Sequence, residues 1–368
     1  MSTYTPYPFP LPSKPKLPPT IKTLLTLILT EPYPSEIGFA PLETDDNFQK
    51  VEESGFSALA INAKRLGDIA LKTRELHDKH PSILSTYVYV ILQPSSQTHY
   101  NLRRRYILGL GSERELEGGD EEDENEYLKI LKGELYLTSV ILIRTGKSGN
   151  CWEYRKFILQ ILLDLHEDIS EIIDTELKFL NKITTYYPKN YYAYNYRRYI
   201  LSHSDSHLLS DLEFTIKGLK LNTTDNSRVS HINWLLDSGV ECDLKGVLKD
   251  LEVFGESYPE QKTIWRCVRC IGVRCLDVEI MERWYNDILL ISKAVKGRQC
   301  ATSKDMILED SKLKCYMWVC WVKSREWGEK GVEGRMAGRI IESCFKELER
   351  REQPNSHITK LKEIREDF

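Results

Sequence analysis

Lys189 lies in "YPKNYYAYNYRRYIL", residues 187–201, where six tyrosines, two arginines and one lysine share fifteen positions. Such residues support three chemistries. A lysine on a flexible stem offers a point charge to a phosphate, and an arginine offers a fixed fork of donors to a carboxylate or a carbonyl. Tyrosines interleaved with cations can also stack on nucleic-acid bases. The stretch is therefore a nucleic-acid surface, a phosphate site or a buried repeat seam. A second cluster, "CVRCIGVRC", sets Cys267, Cys270 and Cys275 close together. C-x-x-C can begin a metal site. No second pair follows at zinc-finger spacing, and the run is apolar at helical spacing, so these thiols read as small buried hydrophobes and no metal is expected. The eight histidines form no H-E-x-x-H pair, and neither a Gly-rich phosphate loop nor a G-x-S-x-G elbow is present. A self-sufficient active site is not expected.

The net charge of −4 and pI of about 6.1 argue against a general nucleic-acid binder. The apolar run "IKTLLTLILT", residues 21–30, is too short to span a bilayer. Prolines flank it and no basic n-region precedes it, so no secretory signal is expected. The nine cysteines then read as reduced thiols, and a cytoplasmic location is expected.

These residues need elements to hold them. Residues 1–19 carry seven prolines and read as an extended N-terminus. A helix is expected at 21–31, then a loop through "EPYPSEIGFAPLETDD", and from residue 57 onward nearly everything reads as helix. "PSILSTYVYVIL", residues 81–92, has strand composition, but its helical neighbours make it a buried helix. Residues 111–126 hold nine carboxylates and three glycines and read as an acidic loop insert. One helical domain is expected over 20–350, followed by a C-terminal tail at 351–368.

The chain also repeats. "GELYLTSVILIRTGKSGNCWEYRKFIL" from Gly133 and "TELKFLNKITTYYPKNYYAYNYRRYIL" from Thr175 align without a gap at a shift of 42 residues. The shift matches Glu134 with Glu176, Lys147 with Lys189, Trp152 with Tyr194 and Arg155 with Arg197. An earlier tail, "NLRRRYIL" at 101–108, puts Arg104 at the arginine position. Weaker copies follow, one with Asn226, Ser230 and Asn233 at the motif positions, the next with a Trp-x-x-x-Arg spaced one residue out. Periods of this length with two helices each indicate a helical array with one continuous core. The expectation is an all-α chain of about a dozen helices, an α-α superhelix forming a crescent of antiparallel hairpins with essentially no sheet.

The pattern N-Y-x-x-[aromatic]-x-x-R-[RK]-x-x-L, preceded by Pro-Lys and by a helix containing E-L-x-F, resembles the protein prenyltransferase α-subunit repeat. The resemblance covers roughly 95–275, with Tyr194 where the family usually has tryptophan. It is most similar to the divergent α-subunit-repeat branch that pairs with a Rab-type β subunit in a third kind of geranylgeranyltransferase. The resemblance implies a crescent wrapped around a catalytic, zinc-carrying β subunit, with no cofactor bound by this chain. The pair would transfer a prenyl group from a prenyl diphosphate to a cysteine of a protein substrate, with geranylgeranyl favoured over farnesyl. No nucleic-acid partner and no membrane span are implied.

For particular residues, Arg104, Trp152, Arg155, Asn190, Tyr194 and Arg197 become repeat-seam residues. Lys189 becomes the cation facing the diphosphate, where charge grows as the C–O bond breaks. Lys147 is its counterpart one repeat earlier, without the following N-Y. Tyr191 and Tyr192 would line the cleft, Tyr192 standing where the farnesyl-type subunit has a carboxylate-binding glutamine. Arg228, in the place of the family's Asn-Tyr-His histidine, would face the diphosphate or an acidic substrate. The alternative reading is a helical-repeat adaptor without a catalytic contribution. A tetratricopeptide-like scaffold is a third, weakened by the missing 34-residue consensus.

Overall fold

The computed structural model describes residues 17–29, 33–43, 46–53, 56–79, 82–117, 121–165, 169–297, 303–327 and 331–351. Most of the Pro-rich N-terminus (1–16) and all but the first residue of the tail (352–368) lie outside them. The chain divides into two compact units, Met1–Ser204 and Asp205–Phe368.

In the first unit, α1 (Pro19–Leu29) leads into strands β1 (Glu36–Ala40), β2 (Phe48–Glu53) and β3 (Phe56–Asn62). Helices α2 (Leu66–Lys79), α3 (Ile83–Leu92), α4 (Gln97–Glu117), α5 (Glu121–Arg144), α6 (Gly149–Leu165), α7 (Ser170–Tyr186) and α8 (Tyr191–Leu201) follow. Helices α3–α4, α5–α6 and α7–α8 are hairpins joined by four-residue turns at 93–96, 145–148 and 187–190. First helices pack on first helices (α3 on α5, α5 on α7) and second on second (α4 on α6, α6 on α8), giving two layers. In the second unit, α9 (Leu208–Leu221) and α10 (Asn226–Asp237), then α11 (Leu244–Ser257) and α12 (Lys262–Cys275), repeat the hairpin. Helices α13 (Val278–Gly297), α14 (Ser303–Trp327) and α15 (Val332–Arg351) complete it. The described residues thus form fifteen α-helices, and the helical-hairpin expectation holds.

Two local expectations fail. The stretch read as a loop running into helix is a three-stranded sheet of order β1-β3-β2, with β1 parallel and β2 antiparallel to β3. In β3, Ser57, Leu59 and Ile61 are buried while Ala58 and Ala60 are half-buried. That period-2 pattern is a strand's, and the helical spacing seen in the sequence begins only at α2. β1 packs on α5, Tyr136 donates to the Pro34 carbonyl at 2.7 Å, and Lys182 reaches Glu36 at 3.4 Å. The sheet therefore plugs onto the hairpins.

The acidic insert is mainly helix: α4 runs to Glu117 and α5 starts at Glu121, leaving only 118–120 outside the described residues. Glutamate is a good helix former. Helix α3, in contrast, forms as expected: Ser82 and Ser85 make a capping box and seven of its ten residues are buried.

Candidate functional site

The seam is built from a carboxylate on the first helix of the second and third hairpins, Glu134 on α5 and Glu176 on α7. Glu176 receives Arg155 through Nε at 2.8 Å and Nη2 at 2.7 Å, and the Tyr196 hydroxyl at 2.7 Å. The Arg155 Nη1 donates to the Leu135 carbonyl, Thr138 and Ser139 at 2.7–2.9 Å. One hairpin earlier, Glu134 receives Arg103 (Nε at 3.0 Å and Nη2) and Tyr154 at 2.8 Å. Arg103 Nη1 donates to the Ile83 carbonyl and Thr86. All four charged side chains are fully buried. Burial works against the charged form of Arg103, yet the Glu134 carboxylate more than reverses it and the guanidinium pKa is raised.

The first seam arginine is therefore Arg103. Arg104, chosen by aligning the tails, is half-buried and bonds Asn101 at 2.9 Å. The ungapped tails mislead because three adjacent arginines, Arg103 to Arg105, stand where the later copies have two basic residues; this hairpin's seam contact also spans 31 residues (103 to 134), against 21 for 155 to 176. Arg197 is buried and donates to Asn181 at 2.8 Å.

Trp152, Tyr194 and Tyr100 are buried at equivalent places in three successive hairpins. The Trp152 indole donates to the Gly146 carbonyl at 2.8 Å, and Trp265 does the same to Pro259 at 3.2 Å. The second unit's copies are shifted by one residue from the sequence reading. Asp225, not Asn226, caps α10, accepting from the Ser227 and Arg228 amides. Val229 and Ile232, both buried, then take the seam places assigned to Ser230 and Asn233. Asp211 and His231, 2.7 Å apart, stand in for the glutamate and tyrosine.

The 187–190 turn is held from several sides. The Tyr187 hydroxyl is shared between the Ile143 and Arg144 carbonyls at 2.6 and 2.8 Å, capping the end of α5. Its ring lies on Gly146, where a Cβ would come within 2.3 Å of it. Asn190, buried, donates to the Gly146 carbonyl at 2.6 Å and accepts from the Ala193 amide at 3.2 Å, capping α8. Between them Lys189 has φ +58, the only positive φ at a non-glycine residue among those described. The left-handed conformation is unfavourable for lysine by roughly 1–2 kcal/mol, so the surrounding bonds impose it. Lys189 is exposed; beside it Tyr191 and Tyr192 are 63% and 43% exposed, edge to face at 5.9 Å.

An open cleft of ≈ 580 Å³ lies between successive turns. Lys147 and Tyr192 line it with Ser95, Asn150 and Tyr187, and the Tyr192 ring covers Gly149. The structure thus brings Lys147 and Tyr192 together, with Lys189 and Tyr191 outside the lining. Arg228 belongs to the second unit and is buried at 4% exposure, its guanidinium against Gly218 and 3.4 Å from Asp225. That packing places it inside the fold, not on a substrate-facing surface. Gly146, Tyr187 and Arg103 were not singled out from sequence. The turn's Tyr-Pro-Lys-Asn offered a signal for Tyr187 only.

Residues 173–204 match the family model of the protein prenyltransferase alpha subunit repeat. The matched repeat contains the whole 187–190 turn, Lys189 and the Glu176–Tyr196 pair. No curated protein matches the chain. Among solved structures, Candida albicans protein geranylgeranyltransferase-I complexed with GGPP superposes with TM-score 0.49 at 16% identity, over 83% of this chain and 91% of that chain.

Among the described residues no group of three or more His, Cys, Asp or Glu is placed to hold a metal ion. Cys267 is buried, and burial raises the pKa of Cys267 and Cys270 and lifts that of Cys275 to about 11. No helix of the described residues is long and apolar enough to cross a membrane.

Proposed function

We propose that the chain is an α-type subunit of a heterodimeric protein prenyltransferase. It scaffolds a β subunit of the Rab type, which carries the zinc, and contributes Lys189 to the diphosphate end of the prenyl-donor site. Geranylgeranyl is the favoured donor group and a protein cysteine the acceptor. The observation that carries this reading is the Lys189 turn inside the matched repeat. An exposed lysine is held in a costly backbone conformation by Tyr187 and Asn190, and strain of that kind is characteristic of functional positions. Lys189 stands at the N-terminus of α8, where amide groups and the helix dipole also favour an anion. As diphosphate departs, a fixed cation there stabilises the growing charge more than the ground state.

Tyr191 and Tyr192, exposed beside the lysine, supply apolar wall to the same end of the site. The second reading, an adaptor without a chemical role, is favoured by one observation. Ile232 and Val268 occupy the arginine positions of the later hairpins, so the motif survives there as packing alone. Affinity purification decides the class: recovery of a prenyltransferase β subunit with this chain is expected. A well-behaved monomer that binds no such subunit selects the adaptor.

A further inference from the structure

Helices α12 and α14 pack on each other in the second unit. Lys262, Trp265 and Arg269 fall on one face of α12, and Ile307, Ser311 and Lys314 on one face of α14. These six residues and Asp310 line a cleft of ≈ 320 Å³, a size typical of small-molecule sites. Its floor is fixed from both sides. The Trp265 indole and the Ser311 hydroxyl, one from each helix, donate to the same Pro259 carbonyl at 3.2 and 3.0 Å. Trp265 is buried, and Ile307, 44% exposed, stands as an apolar wall. The charges around the cleft do not balance. Helix α12 carries Lys262, Arg266, Arg269 and Arg274 and no carboxylate. Asp237 answers Arg274, and within the cleft Asp310 answers Lys314 at 3.3 Å. On α11, Glu252 is taken by Arg283 and Glu256 by Lys312. Arg269 is half-buried with its guanidinium over the Trp318 ring at 5.7 Å, and Lys262 is exposed. Glu260 lies two residues before Lys262 without pairing with it. Among the described residues no carboxylate forms an ion pair with Lys262 or Arg269. The lining thus sets three cations against one carboxylate.

We propose that this cleft binds a small phosphate monoester, its phosphate between Lys262 and Arg269 and its apolar body against Ile307 and Trp265. A monoester phosphate carries about 1.5 to 2 negative charges at neutral pH and three acceptor oxygens, which matches the excess of two cations. A single carboxylate would leave one of them unanswered. Lys262 and Arg269 stand two turns apart, about 10 Å along α12, and their long stems close that gap from either end. The arginine fork and the lysine point charge then meet the oxygens from different sides. Trp318 holds the Arg269 guanidinium against its ring, so less side-chain entropy is lost on binding. Neither helix carries a residue of the proposed prenyl-donor site.

The test is isothermal titration calorimetry of the full chain with phenyl phosphate, compared with inorganic phosphate, phenol and terephthalate. Saturable binding of phenyl phosphate, tighter than that of the other three, is expected. Affinity should fall as salt rises, and as pH drops through about 6, where the ester takes up a proton. Lys262→Gln and Arg269→Gln should each weaken binding roughly tenfold. Ile307→Glu, which sets a second carboxylate in the cleft, should weaken it at least as much. Lys249→Gln, at an exposed lysine of α11 outside the lining, should leave it unchanged. All four variants should keep the far-ultraviolet circular dichroism of the parent. Absence of binding overturns the proposal, as does parental affinity in the Lys262 or the Ile307 variant. So does inorganic phosphate bound as tightly as the ester, which would make the cleft an ion patch. Tighter binding of terephthalate overturns it too, in favour of a dicarboxylate site.

Discussion

Arg155 and Glu176 form a two-pronged ion pair with both side chains at zero exposure, and Arg155 belongs to the hairpin before that of Glu176. The pair is thus a bond between repeats. Arg155→Ala should destabilise the chain by about 3–5 kcal/mol, because it strands a buried carboxylate. Replacing the pair together with Met and Leu should cost much less, since no charge is left buried. Urea midpoints of the two variants check this, and equal losses would mean that Arg155 matters by volume alone.

Lys189 allows stability and chemistry to be separated. Lys189→Ala keeps a side chain at φ +58 and should leave stability and heterodimer assembly largely intact. The chemical step should slow by roughly 10–100-fold, about 1.4–2.7 kcal/mol of barrier. Lys189→Gly should show the same loss of rate but gain about 0.5–1 kcal/mol of stability, because glycine adopts this conformation without strain. Single-turnover transfer with saturating prenyl diphosphate, on purified heterodimer, reads the rate. An unchanged rate for both variants would leave Lys189 as a surface lysine on an adaptor.

Gly146 is where the preceding turn and the Lys189 turn touch. Gly146→Ala places a methyl group within 2.3 Å of the Tyr187 ring. The ring must move off the α5 carbonyls it caps, at a cost of about 1–3 kcal/mol. The thermal midpoint should fall accordingly, and the transfer rate with it, since Asn190 bonds the same glycine's carbonyl.

Alkaline pH should weaken the fold through its buried thiols. Burial lifts the Cys151 thiol from 9.0 to about 12, so the folded chain holds this proton where the unfolded chain releases it. The contribution is complete below pH 9 and is lost as pH rises from there towards 12. Denaturant midpoints should therefore decline across that window. Alkylation at neutral pH should spare Cys151, Cys267, Cys315, Cys320 and Cys344, all buried, until the chain unfolds. Rapid native labelling of Cys151 would contradict its place in the core.

The hairpins were legible because the same contact recurs. Glu134 with Glu176 and Arg155 with Arg197 align at a constant shift, and a residue that repeats in register with a turn marks a packing position. The register was lost wherever that constancy failed. Arg103 was passed over for Arg104 because three adjacent arginines left the tail alignment free to slip. The one-residue errors at Asn226 and Asn233 arose where Asp225 had taken over the cap. The sheet escaped because only a single 3-10 turn at 63–65 separates β3 from α2, and β3 contains the same small and branched apolar residues. Of the candidate site, the lysine and tyrosines could be named from the turn motif. The conformation of Lys189 could not, since it is imposed by Asn190 bonding the carbonyl of Gly146, 44 residues before it, and by Tyr187 packing on that glycine.

The distance from Arg103 to Glu134 is ten residues longer than that from Arg155 to Glu176, yet both pairs make the same fork. All of the extra length lies at the ends of α4 and α5 that point away from the four-residue turns. The architecture therefore has one margin where registration is strict and an opposite margin where it is free to grow. New sequence can be added at the second margin without renegotiating any contact at the first. The acidic stretch around 118–120 is then a natural splice point, where a reporter or an additional domain can be introduced while the row of turns keeps its spacing.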